Sequence, residues 1–125
     1  MHMRRPRTAV ERRRALRQGS DAESRVEAVL QSAGWTIRAR NWQGSGAELD
    51  LVVSRSEQIR FVEVKQRAGS DHSASDLVDG RKQQRLVRAA RAWLAREQEG
   101  TSDMAFTVAI VDDQGIHWID EAFEA

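Results

Sequence analysis

Two carboxylates and a lysine stand in this sequence at a spacing that can do chemistry: Asp50, twelve intervening residues, then Glu63-Val64-Lys65. In a strand, residues two apart share a face. Glu48 and Asp50 therefore point one way on one strand, and Glu63 and Lys65 point one way on the next, with Phe61 behind them. Two carboxylates brought to one point from neighbouring strands bind a divalent cation, and the carbonyl of Val64 can add a ligand. Such a cation polarises a phosphate and lowers the pKa of a bound water. A lysine one strand repeat further on can orient that water or stabilise the developing charge. The same residues have a plainer use. Burying an unpaired carboxylate costs several kcal/mol, so an Asp50–Lys65 or Glu48–Lys65 ion pair across an exposed sheet face would also account for them.

Composition narrows the chemistry. The chain has 125 residues and no cysteine, which removes disulfides, thiolate zinc sites, iron–sulfur clusters and a cysteine nucleophile together. His2, His72 and His117 are far apart and lack ligand spacing. A metal site would be built mostly from carboxylates, which select hard cations, Mg²⁺ or Mn²⁺. No apolar run approaches the ~20 residues of a membrane span. The Arg-rich start is followed by no apolar segment, as a secretory or twin-arginine signal would require. A cytoplasmic protein with no membrane partner is expected.

The net charge of +1 conceals an asymmetry. Residues 1–18 carry +6, residues 19–125 carry −5, and a second basic block, Arg81, Lys82, Arg85, Arg88, Arg91 and Arg96, contains no acid. Segregated charge of this kind suits a polyanionic partner, although a solvated tail and a solvated helix face would look the same. Arg81, Lys82, Arg85, Arg88 and Arg67 are the candidate phosphate contacts, which give affinity without sequence information.

The elements that must position these residues can be read from periodicity. Residues 1–18 form a basic, mobile arm with helical character from Thr8, and 19–125 form the domain. Gly19 and Ser20 break the pattern, and Ser20 can cap a helix with Glu23 as its capping-box partner. Ala22, Val26, Val29, Leu30 and Ala33 follow helical spacing until Gly34. Trp35–Arg40 alternates as a strand, Asn41–Gly46 is a turn, Ala47–Val53 is a second strand, and Gln58–Lys65 is a third. Short turns make these three an antiparallel meander. Gln66–Gly80 reads as a mobile loop able to close on a substrate. Arg81–Glu97 is the strongest helix, with Leu86, Ala89, Ala90, Trp93 and Leu94 on one face and Arg81, Arg85 and Arg88 on the other. Met104–Val111 reads as a central strand, followed by a tight turn and a last strand at Gly115–Ile119. The order α-β-β-β-α-β-β is an α/β layout with a mixed sheet flanked by helices. Trp93 is expected in the core, Trp35 and Trp118 against the sheet, Trp42 in the turn and against the first helix, and His117 on a strand surface.

Several blocks resemble a known family. Gly19, Ala22 and Glu23, then Arg40-Asn41-Trp42, then Gly46-Ala47-Glu48-Leu49-Asp50-Leu51, then Phe61-Val62-Glu63-Val64-Lys65-Gln66-Arg67 are similar to the YraN-like family of small bacterial proteins. Arg81-Lys82-Gln83-Gln84-Arg85-Leu86, Phe106-Thr107-Val108 and Glu121-Ala122-Phe123 extend the similarity over about residues 19–123. The resemblance implies a restriction-endonuclease-like αβββαβ core of the PD-(D/E)XK type, close to archaeal Holliday-junction resolvases. It implies Asp50 and Glu63 as main metal ligands, Lys65 as the catalytic lysine, Glu23 as an accessory metal or water ligand, and Glu48 as a neighbouring acid. The expected activity is phosphodiester hydrolysis by a Mg²⁺-activated water. DNA is favoured over RNA, with branched or free-ended DNA in view, and a homodimer would suit symmetric cutting. The alternative is a nucleic-acid-binding or partner-binding module that keeps the fold without cutting. Ala22 and Ala47 stand where the family commonly has Gly, and Thr107 where it often has Asp.

Overall fold

The computed structural model describes residues 9–68, 79–99 and 103–123, with the backbone alone for 9–20. In chain order the elements are α1 (Ala9–Ser32), β1 (Thr36–Gly44), β2 (Ala47–Arg55), β3 (Gln58–Gln66), α2 (Gly80–Arg96), β4 (Met104–Asp112) and β5 (Gly115–Ile119). The strands form one sheet in the order β1-β2-β3-β4-β5. β1, β2 and β3 are an antiparallel meander, β3 and β4 are parallel, and β5 returns antiparallel to β4. A parallel pair needs a crossover, and α2 lies within it. The expected α/β order and mixed sheet are therefore present.

Both faces of the sheet are covered. Ala22, Val26 and Leu30 of α1 pack on Leu51, Val53, Val62, Ala109 and Val111. Leu86, Ala89, Ala90, Trp93 and Leu94 of α2 pack on Leu49, Val52, Phe61, Phe106, Val108 and Ile110. β4 and the Leu51–Val53 stretch of β2 therefore read as near-continuous apolar runs, because alternate residues enter different cores. The Phe61 ring meets Trp93 edge-on with centroids 6.0 Å apart and stacks on Phe106 at 5.3 Å.

Three expectations are corrected. The helix does not start at Ser20: α1 begins at Ala9 and runs through Gly19 and Ser20. A single glycine inside a helix costs about 1 kcal/mol, which the flanking helix-forming residues and the packed stripe from Ala22 onward outweigh. Residues 1–8 lie outside the described residues, as do residues 69–78 of the expected loop. β1 runs on to Gly44, so the turn is only Ser45-Gly46, both at positive φ (54° and 78°). That geometry is the two-residue hairpin turn whose twist matches the strands. Trp42 thus lies in β1 opposite Leu49 and packs on the α2-side core, not on α1.

The departures from the family pattern are accommodated. Ala22 is buried within α1. At the hairpin, the positive φ belongs to Gly46 and not to Ala47. Thr107 is buried on β4, with its Oγ1 3.4 Å from Asp120 Oδ1.

Candidate functional site

The hairpin between β2 and β3 brings Asp50 to Glu63. Its register pairs Leu51 with Val62, and that is the last regular pair toward this end of the two strands. Beyond it the Asp50 side chain replaces the ladder: the Val64 N–H donates to Asp50 Oδ2 at 2.9 Å. β3 continues past this point on its other side, pairing Glu63 with Val108 and Lys65 with Ile110 of β4. Glu63 and Lys65 are thus held by a central strand, while Asp50 is fixed by the backbone amide between them.

Burial and mutual repulsion set the electrostatics. Burial first, and the neighbouring Glu63 charge second, push the Asp50 carboxyl up to about 7, with Glu23 and Glu48 adding to the rise and the Val64 amide opposing it. Glu23 on α1 is half-buried one residue from the packed Ala22. Burial raises its pKa, a hydrogen bond from Asn41 lowers it, and Glu48, Glu27 and Glu63 raise it further. Four carboxylates from α1, β2 and β3, Glu23, Glu48, Asp50 and Glu63, therefore feel one another. Lys65 is held below its ordinary value by burial, then by Lys82 and Arg67, against the pull of Glu63 and Asp50.

Neither cross-strand ion pair considered from the sequence is present among the described residues. Glu63 instead pairs with Lys82 of α2, with Nζ 2.7 Å from Oε1. Asp79 caps α2 and accepts the Lys82 backbone N–H at 3.0 Å, which fixes the first turn from which Lys82 reaches back. Together Gly46, Ala47, Glu48, Asp50, Glu63, Lys82, Arg85 and Leu86 line a cleft of about 300 Å³ with an acidic floor and a basic rim. Among the described residues, no three Asp, Glu or His side chains converge closely enough to chelate an ion on their own.

The other candidates are dispersed. Arg81 and Arg88 are exposed on α2 and do not line the cleft. The Arg67 backbone N–H donates to Val111, and its guanidinium donates to the Gln66 carbonyl at 2.9 Å. His117 is on edge strand β5, with Nε2 2.9 Å from Asp112 Oδ2, and His72 lies outside the described residues.

Two residues at the site acquire roles the sequence did not assign them. Asn41 sits inside β1 at φ 48° and bonds to Glu23. The sequence places Asn41 in the turn, and the left-handed φ it takes inside β1 is one that Asn tolerates. Lys82, a candidate phosphate contact, also reaches an acid, Glu63.

The chain matches the model of Uncharacterised protein family UPF0102 over residues 22–111. A UPF0102 protein of Halorhodospira halophila is 39% identical over 106 residues, covering 84% of this chain and 85% of the relative. A UPF0102 protein of Pseudomonas putida is 39% identical over 117 residues, covering 86% and 94%. A third, from Methylorubrum populi, is 45% identical over 97 residues, covering 77% of each. The matched span runs from Ala22, beside Glu23, through the Asp50–Lys65 hairpin and α2 to Val111 in β4, and on that match the chain belongs to the UPF0102 family.

Proposed function

We propose that this protein is a metal-dependent nuclease that hydrolyses phosphodiester bonds of DNA. The observation that carries the reading is the Asp50–Glu63–Lys65 arrangement itself, with Asp50 bound to the Val64 amide and pushed up to about 7. A carboxyl whose ionisation is opposed by burial and by neighbouring acids is relieved by a cation. The donors suit Mg²⁺ or Mn²⁺, being hard oxygens, and Mg²⁺ needs only one or two carboxylates because it keeps several waters. Asp50 and Glu63 would hold the ion, with the Val64 carbonyl and Glu23 as further ligands and Glu48 beside them. When bound, the ion polarises a phosphate and lowers the pKa of a bound water.

The chain's own groups do the rest. Lys65, half-buried beside both acids, stabilises charge developing on the phosphate or orients the water. Lys82 and Arg85 at the cleft rim, with Arg81, Arg88 and Arg67 further out, hold the backbone of the nucleic acid. No helix among the described residues is long and apolar enough to cross a membrane, and the reading places the protein in the cytoplasm with its nucleic acid. A homodimer would pair two clefts for cutting both strands.

A nuclease screen tests this reading, using linear, branched and single-stranded DNA, and RNA, with Mg²⁺ and Mn²⁺. Wild type should cut at least one DNA substrate. Asp50→Ala, Glu63→Ala and Lys65→Ala should each lose roughly 10²-fold or more of the rate while retaining binding. The lack of three converging ligands, and the Lys82 ammonium already on Glu63, favour a second reading: a nucleic-acid-binding module that does not cut. Binding without metal-dependent cleavage, unaltered by these substitutions, would support that module and reject the enzyme.

A further inference from the structure

Of the twenty basic residues in this chain, eighteen are arginine and two are lysine. Both lysines, Lys65 and Lys82, sit at the acid cluster, near enough for the Lys82 charge to act on Lys65. Arginine offers a rigid fork that grips a carboxylate through two parallel bonds, whereas lysine offers a compact, strongly hydrated charge on a flexible stem. Both positions where this chain uses the compact cation lie within reach of the Asp50 and Glu63 charges.

Lys82 lies in the first turn of α2, with Arg81 before it, Arg85 one turn on, and the N-cap Asp79 as the one acid at the helix start among the described residues. A helix N-terminus disfavours positive charge, which Asp79 at the cap and Glu63 both offset. The Glu63 side chain is nearly buried (11% exposed), and the Lys82 side chain that meets it keeps 40% of its surface in solvent. The ammonium thus rests on a buried acid while much of its stem faces solvent.

We infer that Lys82 is a placeholder cation, resting on Glu63 in the metal-free protein and leaving it when a divalent ion binds. The inference rests on the reading that Asp50 and Glu63 receive such an ion. A displaced Lys82 remains at the cleft rim beside Arg85, where a phosphate can take it up. Metal and nucleic acid would then bind cooperatively, since each relieves Lys82 of the exchange the other requires.

The test is Mn²⁺ affinity of the free protein, measured by calorimetry on wild type, Lys82→Met and Lys82→Arg, each checked by circular dichroism for an unchanged fold. Lys82→Met should bind Mn²⁺ about fivefold or more tighter than wild type. Lys82→Arg should bind it more weakly than wild type, because the fork holds Glu63 and does not yield. A general field effect of a nearby charge would leave Lys82→Arg equal to wild type, and that result overturns displacement. So does a Lys82→Met affinity equal to or below wild type. If wild type binds Mn²⁺ and cuts DNA in either case, the nuclease reading survives. If none of the three proteins binds Mn²⁺, both fall.

Discussion

An aspartate that titrates near neutrality makes this fold sensitive to pH in an unusual direction. Asp50 moves from 3.8 to about 7, chiefly through burial and then through Glu63. Between those values the folded protein binds a proton that the unfolded chain has released, so stability falls as pH rises through that window and is fullest below it. The effect is at most a few kcal/mol, and Glu23, raised by burial, adds in the same sense. In the absence of metal, Asp50→Asn should therefore raise the melting temperature clearly at pH 8 and little at pH 4. The asparagine oxygen can still accept the Val64 amide, so the comparison isolates the charge. Equal effects at both pH values would show that Asp50 is not held protonated.

Among the elements, β1 holds two local constraints close together. Asn41 interrupts it at φ 48°, where its side chain reaches Glu23. A β-branched residue is strained there, so Asn41→Val should cost about 1–2 kcal/mol in chemical unfolding. Asn41→Gly should keep the backbone and release only the hydrogen bond. Three residues on, Gly44 lies under the Trp42 ring, and a Cβ there would sit 2.3 Å from it. Gly44→Ala must move a ring that packs on the α2-side core, and should cost roughly 1–3 kcal/mol, the range of overpacking. A Gly44→Ala protein as stable as wild type would mean that the Trp42 ring moves without penalty.

At the scale of the molecule, an acidic cleft with a basic rim must answer to both salt and metal. If the rim and the exposed face of α2 bind DNA, affinity should fall with ionic strength, and Arg85→Ala or Arg88→Ala should each lower the slope of log K against log salt by about one. A slope unchanged in both would remove α2 from the interface. Metal should also stabilise the fold by mass action, since an ion that binds only the folded state raises its melting temperature. Mn²⁺ should therefore raise the melting temperature of wild type and leave that of Asp50→Ala or Glu63→Ala unmoved. A rise of equal size in the variants would place the ion elsewhere.

The order of elements was legible in the sequence because hydrophobic periodicity is local: α2, β2, β3 and β4 each declare their buried residues within one window. The approach of Asp50 to Glu63 was legible for a related reason, since a hairpin with a short turn permits few registers. The start of α1 and the length of β1 were not, because Gly19 and Asn41 have the local chemistry of breaks and are carried through by the packing on either side of them. What the tertiary structure alone decided is which charges meet. The Lys82–Glu63 pair spans 19 residues, Glu23 arrives on a helix from the far side of the sheet, and the height of the Asp50 pKa comes from burial. Desolvation and charge coupling depend on the distance between elements, which no spacing along the chain encodes.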